Sequence, residues 1–293
     1  MGTSRQKGSK PTAPPRSPAP PPAARRAASD RIVGDHPSPP HAFGTLLAAK
    51  DGKTGSKVPH RALAEKDGTR AAAVKSLRAM LVQHHASPDA LRRTEQHREA
   101  MKRLGLDAEQ ARLRRFPTNA STRKGNLAEI VLAEYVVAAS GGVLPIYRLR
   151  YNPNVDQSMK GDDVLAFDLD VKPARIIVGE AKFRGTSSAA AVTEIVEGLL
   201  RSYKGGVPAS LQFVADRLFE VGESDLGGRV LDCARLFALG DLRIDYVGML
   251  LSDTKAAERV DDATPGSLRR LAMISLGVQD PDALVDACYR KLE

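Results

Sequence analysis

Tryptophan is absent from this 293-residue chain, and aromatic residues make up only 4% of it. A broad stacking platform for single-stranded nucleic acid is thereby excluded as the main source of affinity. Any grip on a polyanion should be electrostatic and sensitive to salt. The only cysteines, Cys233 and Cys288, belong to no Cys-x-x-Cys or Cys/His cluster. That argues against a structural zinc site and a disulfide framework, and for reduced thiols in a cytoplasmic protein. No uninterrupted apolar run approaches the length of a membrane span, and the N-terminal stretch lacks a hydrophobic signal segment, so no membrane association is expected. The chain has no Gly-x-x-x-x-Gly-Lys-[Ser/Thr] loop, so ATP hydrolysis would have to come from a partner, and no small-molecule cofactor is expected. All six histidines (His36, His41, His60, His84, His85, His97) precede the region richest in chemistry. Histidine-based catalysis is disfavoured, and the His84-His85 pair is expected to be solvated at a helix end.

What the chain does contain is unevenly distributed. Ten of its 19 prolines fall within the first 40 residues, and residues 1–56 mix Pro, Ala, Gly, Ser and Arg with few large apolar side chains. Such a stretch cannot offset the entropy of ordering and is expected to be a disordered basic tail. Residues 1–126 carry 25 Lys+Arg against 10 Asp+Glu, a net of +15, whereas residues 127–293 carry 19 against 25, a net of −6. A basic arm attached to a mildly acidic core suits a protein that meets a polyanion through one part and binds a metal in another.

Apolar spacing predicts a basic helical region over 57–120. Ala73, Leu77, Met80 and Leu81 mark one helix, Ser87-Pro88-Asp89 opens a second that Gly105 closes, and a third short helix covers 107–116. Arg112, Arg114 and Arg115 on that short helix, with Arg123 and Lys124 beyond it, are the expected nucleic-acid contacts, because the forked guanidinium matches phosphate oxygens. A merely solvated helix face is the plainer alternative. From about residue 121 the pattern becomes an apolar helix ending at Gly141-Gly142, a strand over 143–151, a polar loop, two apolar strands, helices over 187–203, 208–221 and 226–239, strands over 244–251 and 271–276, and a last helix from Pro281. This order predicts an α/β domain over 121–293, with a mixed central sheet flanked by helices.

The most informative residues are Glu180-Ala181-Lys182, near the end of the apolar run over 175–184. Side chains alternate along a strand, so Glu180 and Lys182 share a face. The preceding apolar strand is headed by Gly161-Asp162-Asp163. If the two strands form a hairpin centred near Lys172, position 163 falls opposite position 181 and Asp163 joins the Glu180/Lys182 edge. Asp163, Glu180 and the carbonyl of Ala181 could then hold Mg²⁺ or Mn²⁺ beside a scissile phosphate, with Lys182 orienting or deprotonating a water. Asp162 competes with Asp163 for that role, since neighbours in a strand cannot both face the ion. A simple ion pair of Lys182 is the plainer reading. Glu129, on the apolar helix and flanked by Gly125, Leu132, Ala133 and Val136, is a carboxylate in a place that demands a partner.

Glu129, then Gly161/Asp163, then Gly179-Glu180-Ala181-Lys182 in this order resembles the PD-(D/E)xK nuclease superfamily. Within it, residues from about 124 to 293 are similar to the HamA family, the nuclease component of Hachiman anti-phage defence systems. Lys124-Gly125-Asn126-Leu127-Ala128-Glu129, Lys160-Gly161-Asp162-Asp163 and Gly179-Glu180-Ala181-Lys182-Phe183 carry the likeness. It implies a restriction-endonuclease-like fold and a Mg²⁺-dependent DNA nuclease, with catalytic residues at Asp163, Glu180, Lys182 and Glu129. It also implies a helicase partner, HamB, that restrains or delivers the nuclease. Two departures stand out: no proline precedes Asp163, and the first 120 residues carry no matching motif. A non-catalytic DNA-binding scaffold and a restriction-type endonuclease are the alternative expectations.

Overall fold

The computed structural model describes residues 32–292. A six-stranded mixed sheet runs through it: β1 (Leu47–Lys53), β2 (Pro59–Glu65), β3 (Val164–Asp168), β4 (Ala174–Phe183), β5 (Leu242–Ser252) and β6 (Leu271–Gly277), in the spatial order β1-β2-β6-β5-β4-β3. Strands β2, β6, β5 and β4 are parallel, while β1 and β3 close the two edges antiparallel to their neighbours. Helices cover both faces, which is why β5 and β6 read as almost unbroken apolar runs.

On one face lie α1 (Ala42–Leu46), α2 (Arg70–His85), α5 (Ala120–Ser140) and α10 (Pro281–Tyr289), packed on Ile177, Ala181 and Phe183 of β4. On the other lie α6 (Ala189–Lys204), α7 (Leu211–Glu220), α8 (Ser224–Leu239) and α9 (Ala256–Ala263), packed on Ile176 and Val178. Strand alternation thus divides β4 between two cores. Two further helices, α3 (Pro88–Arg103) and α4 (Asp107–Arg112), bury none of their residues and stand at the periphery.

The α/β class and mixed sheet agree with expectation, but several local expectations do not hold. Residues 32–56 do not continue a tail: Ile32 and Val33 are buried, and α1 and β1 follow. Strand β1 escaped notice because six of its seven residues are exposed and polar or small; its ladder to β2 holds it, not its side chains. Residues 1–31 of the expected tail lie outside the described residues. The region expected to be helical from 57 opens with β2, which joins the main sheet through β6. The strand expected over 143–151 is a single bridge, Val143 to Phe167, followed by a 3-10 turn at Arg148–Tyr151. Leu144, Ile146 and Leu149 line a cavity, and Val143 is exposed, so among the described residues the segment lies on no second strand beyond that bridge. His84 and His85 are each only 4% exposed, because the last turn of α2 is covered by Tyr147, Phe116 and Tyr289.

Candidate active site

Helix α5 begins at Asn119, whose side chain accepts from the Thr122 N–H, and stops at Gly141 in a left-handed conformation (φ 71°). Ten of its residues are buried, and it presses directly on the centre of β4. Gly179 permits this approach, since a Cβ there would lie 2.8 Å from the Val164 Cβ and 2.9 Å from Leu132. The next residue is Glu180.

The β3–β4 hairpin pairs Val164 with Gly179 and Asp168 with Arg175. An even number of residues separates Asp168 from Arg175, so the register differs by one from a hairpin centred on Lys172. Continuing it sets Asp163 opposite Glu180, not Ala181. The difference matters, because residues directly opposite in an antiparallel pair share a face. The observed register brings the two carboxylates together, whereas the expected one would have set them on opposite faces.

Asp163 Oδ2 accepts the Ala181 N–H at 2.9 Å, and Arg148 lies 3.7 Å from Oδ1. Arg148 is fixed by donating to the carbonyls of Asp162 and, at 2.5 Å, of Met159. Asp162 turns the other way, toward the start of α7, where its N–H donates to Ser210 Oγ (2.9 Å) and its Oδ2 accepts the Ser210 N–H (3.1 Å). Of the two aspartates, Asp163 is the one that meets β4. Lys182 Nζ lies 2.5 Å from Glu180 Oε1.

These groups are electrostatically coupled. Burial, and then the charge of Asp163, pushes the Glu129 carboxyl up to about 8, and its Oε2 is sealed from solvent without a hydrogen-bond partner. Asp163 is raised by burial despite the Ala181 N–H and Arg148. The Glu180/Lys182 pair is lopsided. Burial opposes the ammonium, but the hydrogen bond and charge of Glu180 outweigh it and hold Lys182 above its usual range. Glu180 is itself raised, because burial and Asp163 outweigh what Lys182 returns. Three carboxyls therefore crowd a poorly solvated spot with few cations.

A cavity of ≈ 290 Å³ opens beside Asp163 and reaches Glu129 and His84. Glu180 and Lys182 lie outside it, so Asp163 joins the cavity to the β4 pair. Among the described residues, no three carboxylate, imidazole or thiolate groups form a ready-made metal cage.

The predicted basic contacts divide among several partners. Arg112 pairs with Glu109 (3.6 Å), Arg114 with Asp156 (2.8 Å), and Arg115 donates to Thr94 (3.0 Å). Arg114 and Arg115 line a separate cleft with Arg92 and Arg98 of α3. Arg123 donates to the Pro117 carbonyl and stacks on Tyr289, while Lys124 pairs with Asp282 (2.6 Å) and lies over Phe183, at the end of β4. Sequence reasoning missed Arg148 and Gly198. The first was visible as an arginine inside an apolar segment; the second had no signal beyond a glycine in mid-helix. Gly198 on α6 faces Glu180, and a Cβ there would lie 2.7 Å from the Glu180 Cδ.

The sequence model of the HamA family matches residues 43–292, the whole sheet and the acidic cluster included. The chain belongs to the HamA family. It is 36% identical over 260 residues to the Hachiman protein HamA of Bacillus cereus, a match spanning 89% of this chain and 93% of that protein. HamA-family similarity thus extends well upstream of residue 124, through β1, β2 and the α2–α4 region that offered no recognisable motif.

Proposed function

We propose that this HamA-family protein is a metal-dependent nuclease that hydrolyses DNA phosphodiester bonds as the effector of a Hachiman-type anti-phage defence, working with a helicase subunit. The convergence of Asp163, Glu180 and Lys182 at the mouth of the β3–β4 hairpin carries this reading. A PD-(D/E)xK assignment accounts for the same three residues.

The donor set suits a hard divalent cation. Two carboxylates held in a poorly solvated spot need positive charge, and the nearest cations, Lys182, Arg148 and Arg201, do not return them to their ordinary range. The Ala181 N–H points at Asp163, and the carbonyl of the same residue leaves the strand on that side. Asp163, Glu180 and the Ala181 carbonyl would hold Mg²⁺ or Mn²⁺. Mg²⁺ characteristically uses one or two carboxylates plus substrate phosphate, so a full protein cage is not required. When bound, the ion would polarise a phosphoryl oxygen and acidify a water.

The remaining work belongs to the chain. Lys182, kept charged by Glu180, orients the water and stabilises the negative charge that grows on the phosphate. Glu129 adds a third carboxyl from α5 to the acidic spot that calls for the cation, and Arg148 fixes the loop that presents Asp163. Lys124, which lies over Phe183 at the end of β4, would meet a flanking phosphate. The test is cleavage of linear and single-stranded DNA by the purified protein, with and without its helicase partner, in Mg²⁺ or EDTA. Products that need Mg²⁺ and vanish with Glu180→Gln support the reading; EDTA-resistant cutting overturns it.

A further inference from the structure

The cavity beside Asp163 is bounded by α5, β3, α7 and the irregular segment over 143–151. Its walls are largely aliphatic and aromatic, with Leu144, Ile146, Leu165 and Phe213 among them. Glu129 and Asp163 are among its lining residues, as is Lys160, which is exposed.

These walls restrict the occupant. A phosphate is disfavoured, because Glu129, Asp162 and Asp163 all border the space, and Arg148 spends one N–H of each terminal nitrogen on the carbonyls of Asp162 and Met159. A metal ion finds aliphatic walls and no set of three ligands among the described residues. Water alone would leave the apolar surface uncovered. The carboxyl-bearing residues Glu129, Asp162 and Asp163 line the space, so an occupant that presents N–H donors on that side suits it. The occupant is therefore mostly apolar, bears N–H groups on one edge, and is attached to a phosphate lying toward Asp163 and Lys160. A nucleobase has all three properties, and enzymes that read unstacked bases enclose them between apolar side chains with hydrogen bonds to one edge.

We propose that this cavity receives the unstacked base of the nucleotide next to the scissile phosphate, so that the preferred substrate is an unpaired strand: single-stranded DNA, a frayed end or a gap. The proposal rests on the nuclease reading of Asp163, Glu180 and Lys182 and adds the substrate's form. Inside an intact duplex the same base would have to be pulled from its stack at an energetic cost.

The test uses the full chain in EDTA, which separates binding from cutting, and single strands carrying 2-aminopurine at one scanned position. One position is expected to brighten on binding. Replacing it with an abasic residue should weaken binding about tenfold, the scale of one base contact. Ala209→Leu fills the mouth of the cavity from an exposed loop position. It should abolish the brightening and the abasic effect, with circular dichroism confirming an unchanged fold. Flat emission at every position, or an undiminished signal from Ala209→Leu, overturns the proposal. If the fluorescence changes as expected but Mg²⁺ yields no cutting, the base pocket stands and the nuclease reading falls.

Discussion

At the scale of single residues, adjacent Asp162 and Asp163 have different work. Asp162 ties its loop to Ser210, whereas Asp163 bonds to β4 and shares the buried charge of Glu180. Asp163→Asn is expected to reduce DNA cleavage by about 10²-fold or more, the scale of losing one electrostatic element of such a site. Asp162→Asn should keep most of the activity and lower the melting temperature slightly, because the Ser210 N–H retains a neutral acceptor. Steady-state cleavage and thermal unfolding of both proteins check this; equal loss of activity in the two would contradict the assignment. The alternating pair Glu180/Lys182 was legible in the sequence because period-2 alternation needs no tertiary information. The choice between Asp162 and Asp163 was not. It depends on a one-residue register and on Ser210, 48 positions away in sequence.

At the scale of elements, α6 supplies the floor on which Glu180 lies. Glycine in mid-helix costs about 0.5–1 kcal/mol relative to alanine, so Gly198→Ala should leave the fold intact or slightly stabilised. Its new Cβ would meet the Glu180 carboxyl and displace it from Lys182. Cleavage is expected to fall at least about tenfold while the melting temperature holds or rises, the converse of an ordinary packing defect. The last turn of α2 gives a pH signature. Burial, and then His84, depresses His85 to about 4, and its ring sits between Phe116 and Tyr289. A lowered histidine is neutral in the fold and binds its proton more readily when unfolded, so stability is lost as pH falls from about 6.5 toward 4. The loss attributable to His85 is up to about 3 kcal/mol. Denaturant melts across that range should show His85→Phe losing less stability than the wild type; identical pH curves would contradict it. Helices were legible by the period of their apolar stripes, and strands buried on both faces by their nearly unbroken apolar runs. Strand β1 was not, because its stability comes from backbone pairing to β2, and neither was the segment over 143–151, whose Leu144, Ile146 and Leu149 line a cavity.

At the scale of the molecule, the acidic cluster sits where the edge hairpin β3–β4 meets α5 and α6, and the basic surplus lies in the first 126 residues. The two are joined through the start of α5, where Arg123 and Lys124 precede Glu129 by less than two helical turns. Affinity for DNA should therefore come mainly from phosphate contacts and fall at least about tenfold between low and near-physiological salt, as read by fluorescence anisotropy. A salt-independent affinity would contradict the charge argument. The overall class was legible because the order of helices and strands narrows the choices for an α/β sheet, and the HamA-family match supplies residues 43–120, where no motif stood out. The central claim, that three side chains at one hairpin's mouth do phosphodiester chemistry with a divalent cation, is tested most directly by comparing wild type with Lys182→Ala in single-turnover DNA cleavage with Mg²⁺, alongside Mn²⁺ binding by both. The variant is expected to bind the ion and fold normally but to cut at least about 10²-fold more slowly. Cleavage at the wild-type rate by Lys182→Ala would contradict that claim.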